Sequence, residues 1–305
     1  MKRVIVAGKL NVDTFFYVDK LEVEGNNVAS IMKVDLGGKA GNVAVGLRRL
    51  GIQVVVTGCV GNDDLGRFVR ERLEDAGIDV SHLKVCEGAT GRTAIAVTKS
   101  GANTMLNFPG VNASFSPEMI DWTLVEDGDV MFLQFGLAPD TVFELASMAK
   151  RAGMMVYVDP SYPSEIPWDA FAYFDYIAPN EREILKISGK GDIEKAVKLF
   201  FKKGVESVIV KMGDKGMKFF GPKESFDLPA SEDLPIDTTA AGDAFNVGFI
   251  YGRLRGLDDR ESSKLGIAAA AVAISKRGSS SSMPSLEELK EKLLQLGEKT
   301  LESRI

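Results

Sequence analysis

Six short stretches of this chain are apolar almost from end to end. RVIVAG from Arg3, VVVTGCVG from Val54, DVMFLQF from Asp129, MMVYVDP from Met154, YIAPN from Tyr176 and SVIVKMG from Ser207 have strand length and no polar face. Among them lie GNVAVGLRRLG from Gly41, DLGRFVRERLEDAG from Asp64, DTVFELASMAKRAG from Asp140, EREILKIS from Glu181 and IEKAVKLFFKKG from Ile193, which have helical apolar spacing. A strand with no polar side must be covered on both faces. The alternation therefore dictates a mostly parallel sheet sandwiched between helices. The expectation is one α/β domain over residues 1–305, a length sufficient to bury a large core.

Two regions break this rhythm. Residues 12–35, VDTFFYVDKLEVEGNNVASIMKVD, alternate and turn at EGNN, and residues 93–107, TAIAVTKSGANTMLN, form a hairpin pattern around SGAN. Antiparallel pieces inserted in such a sheet serve either as edge decoration or as a lid that excludes water from chemistry beneath. The C-terminal SLEELKEKLLQLGEK opens with a capping box, Ser285 with Glu288, and reads as a terminal amphipathic helix.

Charge and composition narrow the function. With 43 acidic and 37 basic residues, a net charge of −6 and a pI near 5.1, the chain is a poor match for an extended nucleic-acid surface. A local cationic pocket for a small anion is still allowed. Cys59 and Cys86 lack metal-ligand spacing, which argues against zinc or a disulfide scaffold. The apolar run after the N-terminal basic residues is too short for a signal peptide, and no segment approaches the roughly 18 residues of a membrane span. A cytoplasmic protein is expected. His82 is the only histidine, which leaves little from which to assemble a Ser-His or Cys-His hydrolase. Neither a Walker P-loop nor a G-x-G-x-x-G fingerprint occurs.

The stretch DTTAAGDAF, Asp237 to Phe245, is the most informative. After Pro235 the pattern becomes helical, beginning around Ala241 to Asp243. The first amides of a helix lack internal partners and lie at the positive end of its dipole. Ala240, Ala241 and Gly242 are small enough for a phosphate to approach those amides. Asp243 is then either an ordinary capping aspartate or a base that takes a hydroxyl proton beside a cradled phosphoryl group.

DTTAAGD resembles the signature of the ribokinase-like, or PfkB, family of carbohydrate kinases, with alanine where many members have glycine. GGKAGNVAVGLRRLG from Gly37 resembles the N-terminal signature of that family. GKLNVD from Gly8, NERE from Asn180, KMGDKG from Lys211 and the closing AAAAVAISKRGSSSSMPS match in the expected order. The matches run from Gly8 to Ser285. The resemblance implies a ribokinase-like three-layer sandwich with a small β-sheet lid. It also implies transfer of the terminal phosphate of a nucleotide, ATP with ADP still open, to a hydroxyl of a sugar or sugar-like compound with Mg²⁺.

The same resemblance implies site residues. Asp243 is the base, and the amides of Ala240, Ala241, Gly242 and Asp243 form an anion hole. Asp13, Gly37, Gly38, Lys39 and Asn42 hold the acceptor, although GGKAGN alone also satisfies a glycine turn entering a helix. Asn180, Lys211, Gly213 and Gly216 bind nucleotide. Glu183 faces Mg²⁺ through water, although an Asn-x-x-Glu pair is also an ordinary helix cap. Asp237, Thr239, Gly278 and Ser282 match positions that coordinate a monovalent cation such as K⁺. Pairing of lids between two copies would make a homodimer.

The chain also departs from the ribokinase pattern. Gly136 stands near the position where the pattern has a sugar-contacting glutamate, Gly266 replaces a histidine near adenine, and Lys9 stands where a small polar residue is usual. Lys9, Lys39 and Arg92 either face an acidic or phosphorylated acceptor or, for Lys9 and Arg92, are simply solvated. A nucleoside kinase, a kinase of a phosphorylated sugar and a non-catalytic sugar- or nucleotide-binding regulator are the rival readings.

Overall fold

The computed structural model describes residues 3–22, 24–125, 130–161 and 165–305. Sequence expectations that touch Met1, Lys2, Val23 and Asp129 lie outside them. In chain order the strands are β1 (Arg3–Ala7), β2 (Asn11–Val18), β3 (Ile31–Gly37), β4 (Gln53–Gly61), β5 (Leu83–Cys86), β6 (Gly91–Thr98), β7 (Asn103–Phe108), β8 (Val130–Gln134), β9 (Met155–Asp159), β10 (Tyr176–Ile177), β11 (Ser207–Lys211), β12 (Met217–Phe220) and β13 (Ser225–Leu228). The helices are α1 (Gly38–Arg49), α2 (Asp64–Asp75), α3 (Pro139–Arg151), α4 (Glu181–Ser188), α5 (Ile193–Lys202), α6 (Ala241–Leu254), α7 (Asp259–Ile274), α8 (Leu286–Gln295) and α9 (Lys299–Glu302).

Among the described residues a nine-stranded sheet runs β13-β12-β11-β10-β9-β8-β1-β4-β5. Its pairs are parallel from β11 to β5, and the β11–β12 and β12–β13 pairs at one edge are antiparallel. The apolar runs are explained by what lies on each side. Along β1, Val4 and Val6 join the core beneath α1, α6, α7 and α8, while Ile5 and Ala7 join the core beneath α3, α4 and α5. The same division holds in β8 and β11. Both parities of a strand are buried, so no polar face is tolerated.

The second sheet has the order β3-β2-β6-β7. Its strands fall in and around residues 12–35 and 93–107, with β2–β6 parallel and the outer pairs antiparallel. Phe15, Tyr17, Ile95 and Val97 form a small separate core on its inner face. The Tyr17 hydroxyl donates to Asp237 Oδ2 at 2.9 Å, tying this sheet to the loop before α6. The expected capping box of Ser285 and Glu288 opens α8. No helix among the described residues is long and apolar enough to cross a membrane.

Candidate active site

The carboxyl ends of the parallel strands open on one rim, where open α/β sheets bind ligands. Strand period two decides which terminal residues face α6. Phe132, Tyr157 and Ile209 lie in the α6-side core, so Gln134, Asp159 and Lys211, two residues further along β8, β9 and β11, emerge on that side. Asp159 is fully buried and satisfied from several directions. Lys211 Nζ donates to its Oδ2 at 2.7 Å, Asn246 Nδ2 to the same oxygen at 2.7 Å, and Lys39 Nζ lies 3.1 Å from Oδ1. Burial pushes this carboxyl up, but Lys211 and Lys39 together outweigh it and hold Asp159 below the usual carboxylate range.

Directly beside this network, α6 begins at Ala241 with Ala240 as its cap residue. Ala240 has φ +60°, the left-handed region that costs a residue with a Cβ about 1–2 kcal/mol. No side chain caps this end. The Ala241 amide makes only a long bond, 3.4 Å, to the Thr238 carbonyl. A Cβ on Gly242 would stand 3.4 Å from Lys211 Nζ, so an ammonium sits next to these amides.

Asp243 is the third residue of the helix and not its cap, so the capping alternative does not hold. It is buried, accepts from Asn42 Nδ2 at 2.7 Å through Oδ2, and from Lys39 Nζ at 3.2 Å through Oδ1. Burial pulls the Lys39 ammonium down, but Asp159, Asp243 and Glu183 prevail and hold it well above its usual value.

Lys39 and Asn42 come from α1, whose entry is shaped by Gly37 and Gly38. A Cβ on Gly37 would lie 2.0 Å from the Asp13 carboxyl. Gly38 has φ +74°, and a Cβ there would lie 2.3 Å from the Lys9 carbonyl oxygen. The glycine pair therefore lets α1 start in contact with β1 and β2. Asp13 Oδ1 and Asn42 Oδ1 are buried with no hydrogen-bond partner among the described residues. Buried polar atoms are nearly always paired, so both oxygens have unused capacity to accept from a donor. Burial raises the Asp13 pKa to about 7; the Ser279 and Thr93 hydroxyls pull it back, while Asp35 and Asp243 add to the rise.

The other expected residues are distributed as follows. Asn180 caps α4 and forms a reciprocal capping box with Glu183, with Asn180 Oδ1 accepting from the Glu183 amide at 2.8 Å and Glu183 Oε2 from the Asn180 amide at 2.7 Å. That is the ordinary cap in full. Glu183 is nonetheless buried, and burial together with Asp159 raises its pKa, against the opposing pull of Lys39 and Lys211. Gly213 opens on free space in the turn after β11, while a Cβ on Gly216 would collide with the Leu228 carbonyl. Asp237, fully buried, accepts from the Thr239 amide at 2.9 Å and the Gly278 amide at 3.3 Å, and Ser282 Oγ donates to the Ser279 carbonyl at 2.7 Å.

Arg92 does not reach the pocket. It is exposed and lies 3.5 Å from Asp63. Lys9 does turn inward, and a Cβ on Gly136 would lie 2.7 Å from its Nζ. Gly266 has a packing reason: a Cβ there would meet the Phe245 ring at 2.8 Å, between α6 and α7. Cys59 and Cys86 are free thiols in contact at 2.9 Å, far in the chain from these residues. Sequence reasoning passed over Asp159, Asn246 and Gln134. The available signal was a polar residue closing an apolar strand, at VYVDP and FLQF.

Residues 1–286 match the pfkB family carbohydrate kinase profile. A ribokinase of Haemophilus influenzae is 30% identical over 296 residues, covering 94% of this chain and 97% of that protein. An ATP-dependent ribose-1-phosphate kinase of Halopiger xanaduensis is 32% identical over 285 residues, covering 92% and 95%. The crystal structure of a Thermotoga maritima ribokinase superimposes with a TM-score of 0.85 at 35% identity, covering 96% of this chain and all of that one. The chain belongs to the pfkB family of carbohydrate kinases, phosphotransferases whose acceptor group is an alcohol.

Proposed function

We propose that the chain phosphorylates a hydroxyl of a pentose-like sugar from ATP, with Asp243 as the base and the start of α6 as the phosphate cradle. The observation that carries this is Asp243 itself, buried three residues into a helix that no side chain caps and held by Asn42 and Lys39. In the reaction the acceptor oxygen attacks the terminal phosphorus and its proton passes to the Asp243 carboxylate. The bond from that phosphorus to the bridging oxygen breaks, and ADP departs with the bond's electron pair. Amides of Ala241, Gly242 and Asp243, with Lys211 alongside, would meet the growing negative charge on the transferred group. Asp13 and Asn42, each with an unpaired oxygen, would accept from the sugar hydroxyls.

Mg²⁺ travels with the nucleotide phosphates and offsets their charge. Glu183 fits a water-bridged role: its buried carboxyl is crowded by Asp159, as expected beside a cation's place. A monovalent cation near Asp237, Thr239, Gly278 and Ser282 would be held by carbonyl oxygens, since the Asp237 carboxylate is already occupied by Tyr17, Thr239 and Gly278 donors. The chain is read as one kinase domain, cytoplasmic, with the small sheet as a lid on the acceptor. Phe16, Met32, Val34, Leu106 and Phe108 share the outer face of that sheet and are exposed, a surface suited to pairing with a second copy.

The test is a panel of sugars, phosphosugars and nucleosides offered with ATP or ADP, read by nucleotide product. Turnover with ATP and a sugar is expected. Turnover with nucleosides alone would make the chain a nucleoside kinase, and binding without turnover would make it a regulator.

A further inference from the structure

Three lysines reach the pocket rim, and they are not in the same situation. Lys39 and Lys211 both bond Asp159, at 3.1 and 2.7 Å. Lys9 has no carboxylate within 4.0 Å among the described residues, although it is largely withdrawn from water. Burial lowers its pKa, the like charge of Lys39 lowers it further, and Asp159 offsets this only at longer range.

The surroundings of Lys9 are built around its side chain. Its carbonyl touches the start of α1 at Gly38, so the residue is fixed against the acceptor-holding helix. Its ammonium stands 2.7 Å from where a Cβ of Gly136 would be, so the absence of a side chain at 136 is what admits it. Gln134, fully buried at the end of β8, packs against Gly8, the residue before Lys9. Both polar atoms of the Gln134 amide are without a partner among the described residues. Lys9 and Gln134 thus supply a cation with no carboxylate in ion-pair reach among the described residues and a spare amide, while Asp13 and Asn42 remain to receive sugar hydroxyls. A neutral polyol would leave the ammonium unpaired, whereas an anion would pair it.

We propose that Lys9 determines acceptor specificity, and that the acceptor it selects is a sugar carrying an anionic group, phosphate or carboxylate, apart from the hydroxyl that is phosphorylated. This rests on the sugar-kinase reading above. The chemistry shared by the two anions is recognised by the ammonium, with the Gln134 amide able to donate one further bond.

The test measures kcat and KM for ribose, ribose 1-phosphate, ribose 5-phosphate and gluconate with ATP, in the wild-type protein and in Lys9→Ser and Lys9→Arg. At least one anionic acceptor should exceed ribose by tenfold or more in kcat/KM. Lys9→Ser should lower that ratio by about 10- to 100-fold, chiefly through KM, and Lys9→Arg should retain most of it. The phosphate and carboxylate arms show which anion is meant. A thermal melt gives an independent readout: deleting an unpaired cation should leave the ligand-free Lys9→Ser protein at least as stable as wild type. Preference for ribose over every anionic sugar, or a ratio unmoved by Lys9→Ser, would overturn the proposal and leave the kinase reading standing. Failure to phosphorylate any acceptor, with ATP or ADP, would overturn both.

Discussion

Helices α4 and α6 start on the same rim of the sheet, and they start in opposite ways. At α4 the start is closed from both sides: Asn180 and Glu183 bond each other's backbone in a capping box. At α6 the cap position is Ala240, in a left-handed conformation with no side-chain bond to the first turn. Capping by Ser, Thr, Asp or Asn is worth about 0.5–2 kcal/mol, and α2, α5, α7 and α8 all have it. Helices α3 and α9 also start without a side-chain cap, but α3 opens on Pro139, whose missing N–H needs no acceptor, whereas α6 leaves its first amides open beside Lys211 and Asp243. The entrance to α1, whose Lys39 and Asn42 bond Asp243, also lacks a side-chain cap.

The contrast can be broken most forcefully at α6. Asp243→Asn should cut kcat by about 10²–10⁴ with an unchanged circular dichroism spectrum, whereas near-normal turnover would remove the carboxylate from the chemistry. Next in size is Lys211→Met. It leaves fully buried Asp159 with one ammonium, Lys39, and the Asn246 amide, and urea unfolding should show a loss of about 1–3 kcal/mol together with loss of turnover.

A third prediction concerns pH. The Asp13 pKa is raised to about 7 in the folded chain from an unfolded value of about 3.9. The native state therefore holds a proton that the unfolded state has released. The stabilisation from this group is complete below about pH 4 and is lost as pH rises through about 7. Melting temperature should fall between pH 5.5 and 8.5 more in the wild type than in Asp13→Asn, which keeps a neutral group there; parallel profiles would refute the assignment. The smallest effect belongs to the ordinary caps. Ser285→Ala should cost α8 about 1 kcal/mol, a shift of roughly 2 °C in melting, with turnover unaffected.

The architecture was legible because its cause is local: a strand covered on both faces has apolar residues at both parities, and GKAGNVAVGLRR and DLGRFVRERLED carry their helical period openly. The partners of the proposed base were legible only through family resemblance, as Asn42 and Lys39 lie 201 and 204 residues from Asp243. Asp159 was missed because its meaning depends on three strands ending side by side and on Lys39 arriving from another helix. The Asn180–Glu183 spacing fitted a cap or a functional pair equally well, and it makes the cap while also presenting a buried carboxyl near Asp159. The outward place of Arg92 has a simpler cause. Its strand alternates, and the parity that buries Thr93 turns Arg92 to the solvent side.

A crystal structure with a non-hydrolysable ATP analogue and an accepted sugar tests the central claim most directly. The terminal phosphate should lie within hydrogen-bond distance of the Gly242 and Asp243 amides, with the acceptor hydroxyl against an Asp243 carboxylate oxygen. Phosphates bound away from the first turn of α6, with no sugar oxygen near Asp243, would contradict it.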